Sequence, residues 1–467
     1  MRLPAPVQAV LAVLCLICAL ACGTGPGQAQ GLTLREMQIA AFAAVEAGDE
    51  ASARQMALAI LDRHPRDALA EFVLTVTDLR GGRLEEARKH GRFAFRYAET
   101  RQQKFQSAMI SADIADRQDR RIALRYWLRQ AVAQAPAEPL RAAALKVLNE
   151  ERRAAPVSFG LSFGLAPSSN VNNGSSSPYS VIDGLPIVGV ISDEGQALSG
   201  WEGSLRLSFG LRLAETARAR TELTSSLSFY RIALSSEAAR KAPDFSTGDM
   251  ADTVLMLGLR HAMLLPGDKA KLDLTFEAGR GWSGAGTGRD IYRLGLRQSR
   301  DLGEGRGLIL GADLQWTAPD IATRADYRRG SLTLGYLAPL PSGDTVYGEL
   351  SLSDTAAGAG TDATSREGQS AMLRVVWSKK DPLGPFSLSA SAGVQFADYP
   401  DYRLGFITVP GGRQDTSGFA EVTLGLDSLS AAGFRPVVNL RALETKSNVS
   451  IFETRDLSLG FSLSREF

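Results

Sequence analysis

The end of the chain alternates regularly between apolar and small polar side chains. Serine or glycine separates each member of an apolar series formed by Leu457, Leu459, Phe461 and Leu463. Successive side chains of a β-strand point to opposite faces, so this stretch predicts a strand with one apolar and one polar face. Arg465 falls on the apolar face, where a long side chain near a strand end can place its charge at an interface.

The same period of two recurs throughout residues 156–467. We predict fourteen strands, at 157–166, 202–214, 220–234, 253–263, 270–282, 291–300, 308–317, 327–338, 345–354, 369–378, 386–398, 417–427, 436–446 and 453–467. Lipid-facing strands of membrane barrels alternate in this way, and single-chain bacterial barrels have an even number of strands. The region therefore predicts a fourteen-stranded antiparallel outer-membrane β-barrel, with Phe467 as its C-terminal signal. An open β-sandwich is the alternative.

The connections between these strands alternate in length. Those after even-numbered strands are short and rich in Gly, Pro and Asp, whereas most of those after odd-numbered strands are longer. Short turns of bacterial barrels face the periplasm and long loops face outward. Both ends of the barrel, and the region that precedes it, are therefore predicted to be periplasmic.

A helical period replaces the strand period in residues 31–155. A series of small and apolar residues repeats with a spacing of 34, as Gly48, Ala53, Ala57 and Ile60 and then as Gly82, Ala87, Gly91 and Ala94. This spacing is typical of a tetratricopeptide (TPR) unit. We predict a TPR-like α-solenoid of three helix pairs and a capping helix at 139–152. Stacked pairs form a concave surface for a protein partner; a simple spacer is the alternative.

One face of this helical region is rich in arginine. The candidate partner surface consists of Arg88, Arg92, Arg96, Arg121 and Arg125. Guanidinium groups in such an arrangement suit an acidic partner. The alternative is a solvated helical face without a partner.

The N-terminal residues 1–29 predict a signal peptide. Arg2 is followed by an apolar run at 7–20, and Gly27-Gln28-Ala29 offers a small-x-small cleavage site. The run is shorter than the roughly 20 residues of a membrane-spanning helix. Cleavage before Cys22, which would produce a lipoprotein, is the alternative. All three cysteines lie in this segment, so cleavage after Ala29 would leave a mature chain without disulfides.

Composition and charge exclude several classes of function. The chain carries a net charge of only +1, and 22% of its residues are charged, with no basic run. A nucleic-acid partner is therefore not expected. Three scattered histidines predict neither a metal site nor a catalytic centre, and we expect no cofactor and no enzymatic activity. The expected partners are outer-membrane lipid, the barrel-assembly machinery of a Gram-negative bacterium and a transported client.

Charged residues collect on the polar parity of the predicted strands. The candidate lumen-lining set is Arg206, Arg212, Arg260, Arg293, Arg297, Arg374, Arg441, Asp273, Glu277, Asp313 and Glu421. Barrel interiors are polar because they contain water or a plug, so a mixed-charge lining is expected in either case. Fourteen strands should enclose a lumen wider than that of eight-stranded barrels and narrower than that of sixteen-stranded porins.

The stretch 163–172, Phe-Gly-Leu-Ala-Pro-Ser-Ser-Asn-Val-Asn, stands at the end of the first predicted strand. Pro167, Ser169, Asn170 and Asn172 resemble, in type and spacing, the Pro-x-Ser-Asn-x-Asn stretch that opens the barrel of the surface lipoprotein assembly modulators. These Slam proteins are the type XI secretion translocons, and a TPR region before a fourteen-stranded barrel is also similar to them. Considered only as residues, the stretch can equally be an ordered turn, because Asn and Ser side chains bond to nearby backbone.

The resemblance implies an outer-membrane translocon that exports or displays a client protein, either a lipoprotein or a soluble secreted protein. It also implies that the helical region engages the client or a chaperone in the periplasm. Two alternatives stay open. One is an exopolysaccharide export porin, and the other is a diffusion porin or receptor with an accessory periplasmic domain.

Overall fold

A computed structural model of the chain describes residues 32–186, 188–267, 269–284, 286–426 and 434–465. The predicted signal peptide and the terminal Phe467 lie outside the described residues. The chain divides into two compact units, Met1–Ala154 and Ala155–Phe467. No helix in the described ranges is both long and apolar enough to cross a membrane.

The described part of the first unit is helical throughout. Its seven helices are α1 (Leu34–Glu46), α2 (Glu50–Arg63), α3 (Ala68–Arg80), α4 (Leu84–Tyr97), α5 (Arg101–Arg117), α6 (Arg121–Gln134) and α7 (Glu138–Ala154). Side chains at the helix starts accept hydrogen bonds from free backbone N–H groups, as in the capping boxes of Thr33 with Glu36 and Thr100 with Gln103. Three helix pairs followed by one more helix match the predicted solenoid, while membership of the TPR family remains a prediction.

The turn inside each helix pair contains one residue with a left-handed backbone. Gly48, Gly82 and Asp119 have φ angles of 79°, 73° and 54°. Glycine adopts this conformation without strain, and aspartate is one of the few other residues enriched there. The third pair also departs from the spacing of 34, because Leu124, buried like Ala87, follows it by 37 positions (124 − 87). These two departures explain why the 34-residue pattern is harder to recognise in the third helix pair than in the first two.

Gly91 of helix α4 lies close to both neighbouring helices. A Cβ atom at this position would lie 2.8 Å from Ser111 Oγ of α5 and 3.4 Å from Thr75 Cγ2 of α3. Ser111 Oγ is buried without a hydrogen-bond partner. The absence of a side chain at Gly91 therefore permits this three-helix contact.

We expect Gly91→Ala to destabilise the helical unit by about 1–3 kcal/mol, because the added methyl group overpacks the contact with Ser111. Urea unfolding of the full-length protein, followed by helical circular dichroism, measures the loss. The double variant Gly91→Ala/Ser111→Ala removes the clashing oxygen and should recover most of the stability. Equal losses in the single and double variants would contradict this assignment of the close contact.

The second unit is a closed barrel of fourteen antiparallel strands. The strands are β1 (Val157–Ser168), β2 (Gly200–Glu215), β3 (Ala219–Leu234), β4 (Asp252–Leu264), β5 (Ala270–Ser283), β6 (Gly288–Gly303), β7 (Arg306–Pro319), β8 (Tyr327–Pro339), β9 (Thr345–Ala357), β10 (Gly368–Ser378), β11 (Phe386–Tyr399), β12 (Arg413–Leu426), β13 (Phe434–Ser447) and β14 (Thr454–Arg465). Each strand pairs with the next, and β14 pairs with β1. The predicted fourteen-stranded barrel is thereby confirmed.

Cross-strand register separates an apolar outer face from a polar inner face. Leu332, for example, is paired with Ala312 and Leu352, and 62% of its surface is exposed. Exposed aromatic residues border this apolar face near both strand ends: Trp201, Trp282 and Trp316 at the long-loop end and Tyr336 at the short-turn end. An outer apolar band with aromatic borders is the surface that a membrane barrel presents to lipid.

Candidate functional site

The lumen of the barrel is lined by the polar parity of its strands. All eleven charged residues predicted to line it occupy this inward parity. Several of them pair across adjacent strands: Arg260 Nη2 lies 2.6 Å from Asp273 Oδ1, and Arg293 Nη1 lies 3.8 Å from Glu277 Oε2. Lys271 also contacts Asp273, at 3.1 Å. Asp273 and Glu277 therefore offset most of the positive charge of Arg260, Lys271 and Arg293 along this part of the wall.

Other luminal arginines have no such partner. Within the described ranges no ion pair involves Arg206, Arg297, Arg374 or Arg441, although Arg441 lies 6.0 Å from the ring centre of Phe419. Asp313 and Arg212 lie elsewhere on the wall, where Arg212 pairs with Glu215 near a short turn. Arg374 and Arg441 stand opposite Glu349 and Glu421 in the register without forming ion pairs with them. The guanidinium groups can therefore still bind anionic groups inside the barrel.

Two of these arginines line a recess of about 560 Å³ on the inner side of β10 to β13. Arg374 and Arg441 share its wall with Glu421 and with other polar side chains. Asn173 and Phe452, from connections between strands, contribute to the same wall. The recess therefore combines the polar lumen with the underside of the loops above it.

Small side chains line two separate parts of the luminal wall, one on β11 and one on the neighbouring strands β14 and β1. On β1, β11 and β14 the inward positions include Ser158, Gly160, Ser162, Ser387, Ser389, Ser391, Ser458, Gly460 and Ser462. Hydroxyl groups can donate and accept hydrogen bonds, and small side chains leave the lumen wide. These parts of the wall offer weak, repeated polar contacts along the barrel.

The predicted family motif lies where β1 closes on β14. Pairing between the two strands runs from Ser162 to Leu165 and is interrupted before Ser168. Pro167 lies in this gap and has no N–H group to donate. Beyond the gap, side-chain hydrogen bonds join the end of β1 to β14. Ser168 Oγ and Ser169 Oγ donate to Asp456 Oδ1, at 2.7 and 3.1 Å.

Both asparagines of the motif bond to backbone, Asn170 on both sides of this junction and Asn172 within the first long loop. Asn170 is buried; its amide donates to the carbonyls of Gly174 and Arg455, at 2.9 and 3.3 Å. Asn172 donates to the carbonyls of Glu194 and Gln196, at 2.9 and 2.8 Å. The stretch is thus an ordered turn that fastens the first long loop to the last strand.

Two long connections and the short one between β13 and β14 pack on one another at the outer end of the barrel. We call the described residues of 169–199, 400–412 and 448–453 the loop cap. Its apolar core is formed by Ile182, Tyr402, Val409 and Val449. Backbone bonds join the same segments, as from Asp183 N to Asn448 O at 2.9 Å. The loop cap is therefore a folded layer with its own core.

Arg413 joins the loop cap to the barrel wall. Its guanidinium carbon lies 3.7 Å from the ring centre of Tyr399 and 3.9 Å from that of Phe452. Its Nε lies 3.1 Å from Asp415 Oδ2, and only 7% of the residue is exposed. Burial raises the pKa of Tyr402, whose ring is 5.0 Å from the same guanidinium group, while that positive charge acts in the opposite direction.

The arginines predicted as a partner surface have different surroundings in the helical unit. Arg88 Nε bonds to Glu85 at 2.9 Å, and Arg121 contacts Asp116, Asp119 and Glu151. Arg125 donates to the carbonyl of Arg121 at 3.3 Å. Arg92 and Arg96 are exposed, and neither has an ion pair with a described residue. The charge available to a partner therefore lies mainly on α4.

Two residues that organise this site, Arg413 and Asp456, were absent from the sequence-based set. Arg413 precedes the predicted start of its strand at 417, yet it shares the inward parity of Glu421. That continued alternation was a usable signal. Asp456 was visible as an inward carboxylate on the last strand, but its partners lie 287 and 288 positions away.

These features define the class of the protein. It is an integral β-barrel protein of the outer membrane of a Gram-negative bacterium, with an apolar outer band, a polar lumen and a folded cap of long loops. The helical unit joins β1 at the short-turn end, which in such barrels faces the periplasm.

Comparisons with known proteins add likenesses at the level of the barrel. No protein-family model and no curated protein matches the chain. A bacterial polysaccharide outer membrane secretin is 10% identical. The match covers 66% of this chain and 98% of the secretin chain, with a TM-score of 0.34. CdiB from Acinetobacter baumannii is 10% identical, covering 66% of this chain and 60% of its own at a TM-score of 0.37. The COG4313 outer membrane channel from Pseudomonas putida F1 is 14% identical. The match covers 67% of this chain and 97% of that channel, with a TM-score of 0.33.

Proposed function

We propose that this protein is an outer-membrane translocon that exports or displays a client protein, in the manner of the family that its motif resembles. The observation that carries the proposal is a polar luminal recess directly beneath the loop cap, in a barrel preceded by a helical repeat region. A packed loop layer that borders the lumen suits controlled release of a large client. The parts of the wall with small side chains leave width for an extended polypeptide.

The helical unit would engage the client or a chaperone on the periplasmic side. Stacked helix pairs commonly serve as peptide-binding surfaces, and the exposed Arg92 and Arg96 favour an acidic partner. The barrel-assembly machinery would recognise β14, the strand that closes the barrel on β1. No residue of the chain identifies the client, which could be a lipoprotein or a soluble protein.

Deletion of the gene tests the proposal. A small secreted protein or lipoprotein encoded beside it is the first candidate client, and protease accessibility on intact cells reports its surface display. We expect display to be lost while the periplasmic amount of that protein rises. Unchanged display of every such neighbour in the deletion strain would contradict protein export.

A variant with two altered luminal residues tests whether the recess lies on the export path. We expect Arg374→Glu/Arg441→Glu to reduce display by about tenfold or more, because reversed charge repels acidic groups of the client. Arg306→Glu, on an exposed short turn, is the matched control. Equal display by both variants would show that the recess is not on the export path.

Export of an acidic polysaccharide is the second candidate, favoured by the unpaired luminal arginines. Guanidinium groups bind carboxylates well, whether these belong to a peptide or to a sugar acid. Loss of surface polysaccharide in the deletion strain, with every neighbouring protein still displayed, would select this function. Loss of small-solute uptake alone would instead indicate a diffusion porin.

A further inference from the structure

A long depression of about 910 Å³ crosses the outer wall of the barrel. Each of the seven strands from β6 to β12 contributes two neighbouring outward positions to it. At a strand spacing of about 4.8 Å, six intervals make it about 29 Å long.

One edge of the depression is apolar. The register pairs its outward residues in a continuous row: Leu296, Ala312, Leu332, Leu352, Ala371 and Phe396. Three of these are more than 45% exposed, Leu332, Leu352 and Phe396. This row lies on the side of the short turns and can accommodate hydrocarbon chains running across the strands.

The other edge changes from apolar to polar along its length. It begins at Leu294 and Leu314, and continues through Gly330 to the exposed Asp354, Gln369, Asp398 and Gln414. Arg328, one outward position closer to the long loops, is also exposed and makes no ion pair with a described residue. The polar groups thus stand on the extracellular side of the apolar row.

We propose that this depression binds a phosphorylated glycolipid of the outer leaflet. Its acyl chains would lie along the apolar row, and its sugar hydroxyls would bond to Asp354, Asp398 and the two glutamines. Its phosphate would pair with Arg328. Carboxylates and amides together satisfy the many donors and acceptors of a sugar headgroup, whereas a phospholipid with a single phosphate would leave most of this edge without a partner.

Gly330 provides a direct probe of the site. A Cβ atom at Gly330 would meet no atom within 4 Å, so a larger side chain can enter the depression without disturbing the wall. Gly348 is the matched control, because it is also outward, on β9, and equally open, but does not line the depression. Gly330→Trp should obstruct the depression at β8, while Gly348→Trp should leave it free.

The test adds purified lipopolysaccharide, or phosphatidylethanolamine for comparison, to the full-length protein in detergent. Native mass spectrometry then counts the lipid retained per barrel. We expect the wild type and Gly348→Trp to retain lipopolysaccharide in preference to the phospholipid, and Gly330→Trp to retain about tenfold less. Asp354→Ala/Asp398→Ala should remove the preference for the glycolipid.

A second measurement does not require the Gly330→Trp variant to fold. A photoreactive phenylalanine in place of Leu332 should cross-link lipopolysaccharide in intact cells more strongly than one in place of Leu350, which is outward on β9 but outside the depression. Equal cross-linking at both positions would overturn the proposal. So would equal retention of the two lipids by the wild type, or undiminished retention by folded Gly330→Trp.

Discussion

Replacing Arg413 with alanine is expected to detach the loop cap from the barrel wall. The guanidinium group holds together a ring of β11, a ring of the loop cap and the carboxylate of Asp415. Its removal leaves Asp415 largely buried without its partner. Loss of one member of a buried ion pair costs about 3–5 kcal/mol, and the cation–π contacts add to the loss.

Two measurements report this loosening. In intact cells, external protease should cut within 400–412 in the Arg413→Ala variant and spare the wild type. In planar bilayers, the variant should conduct ions at a level several-fold above that of the wild type, because loosened loops leave the luminal recess more open. Arg413→Lys keeps the charge without the planar group and should give an intermediate result.

Arg403→Ala is the matched control, since Arg403 is exposed in the same connection. It should leave protease resistance and conductance unchanged. If Arg413→Ala behaves like this control, the loop cap is held by its apolar core alone.

Replacing Asp456 with alanine is expected to weaken the closure of β1 on β14. One oxygen, Oδ1, accepts bonds from Ser168 Oγ, Ser169 N and Ser169 Oγ. These bonds lie beyond Pro167, where the ladder between the two strands is interrupted. Hydrogen bonds to a charged group contribute about 1.5–3 kcal/mol each, and shared bonds are not additive, so we expect a loss of about 3 kcal/mol.

The migration of the folded barrel in detergent gels measures this loss, as the temperature at which the heat-dependent mobility shift occurs. That temperature should fall clearly for Asp456→Ala and less for Asp456→Asn, which retains an acceptor oxygen. Asp401→Ala, at an exposed loop position, should behave as the wild type. A shared transition temperature for all three variants would show that the junction does not depend on the carboxylate.

The strands were predictable because hydrocarbon imposes a strict rule on their side chains. A segment such as Leu205 to Leu213 must place an apolar residue at every second position, and this requirement is local. Boundaries were less accurate where polar residues extend a strand beyond the membrane band, as at Arg413. The helix pairs were predictable for a similar local reason, through small residues such as Gly91 at contacts between helices.

The site was predictable only in part. Inward parity identified the charged residues of the lumen, since it follows from position in the strand. It did not indicate that Arg260 has a carboxylate partner while Arg374 has none among the described residues. Arg374 stands opposite Glu349 in the register, so an ion pair depends on how the two side chains extend and not on register alone. The motif at 167–172 was visible, yet its role in fastening the barrel depends on backbone groups of β14.

The sequence by itself determined the helical and barrel regions, the number of strands and the side of each strand that meets lipid. All three follow from periodicities within short segments. Only the tertiary structure decided which arginines stay unpaired, how Arg413 binds the long loops together and where the outer wall is hollow. Those properties arise when segments far apart in the chain are brought together by closure of the barrel, and no local pattern contains that information.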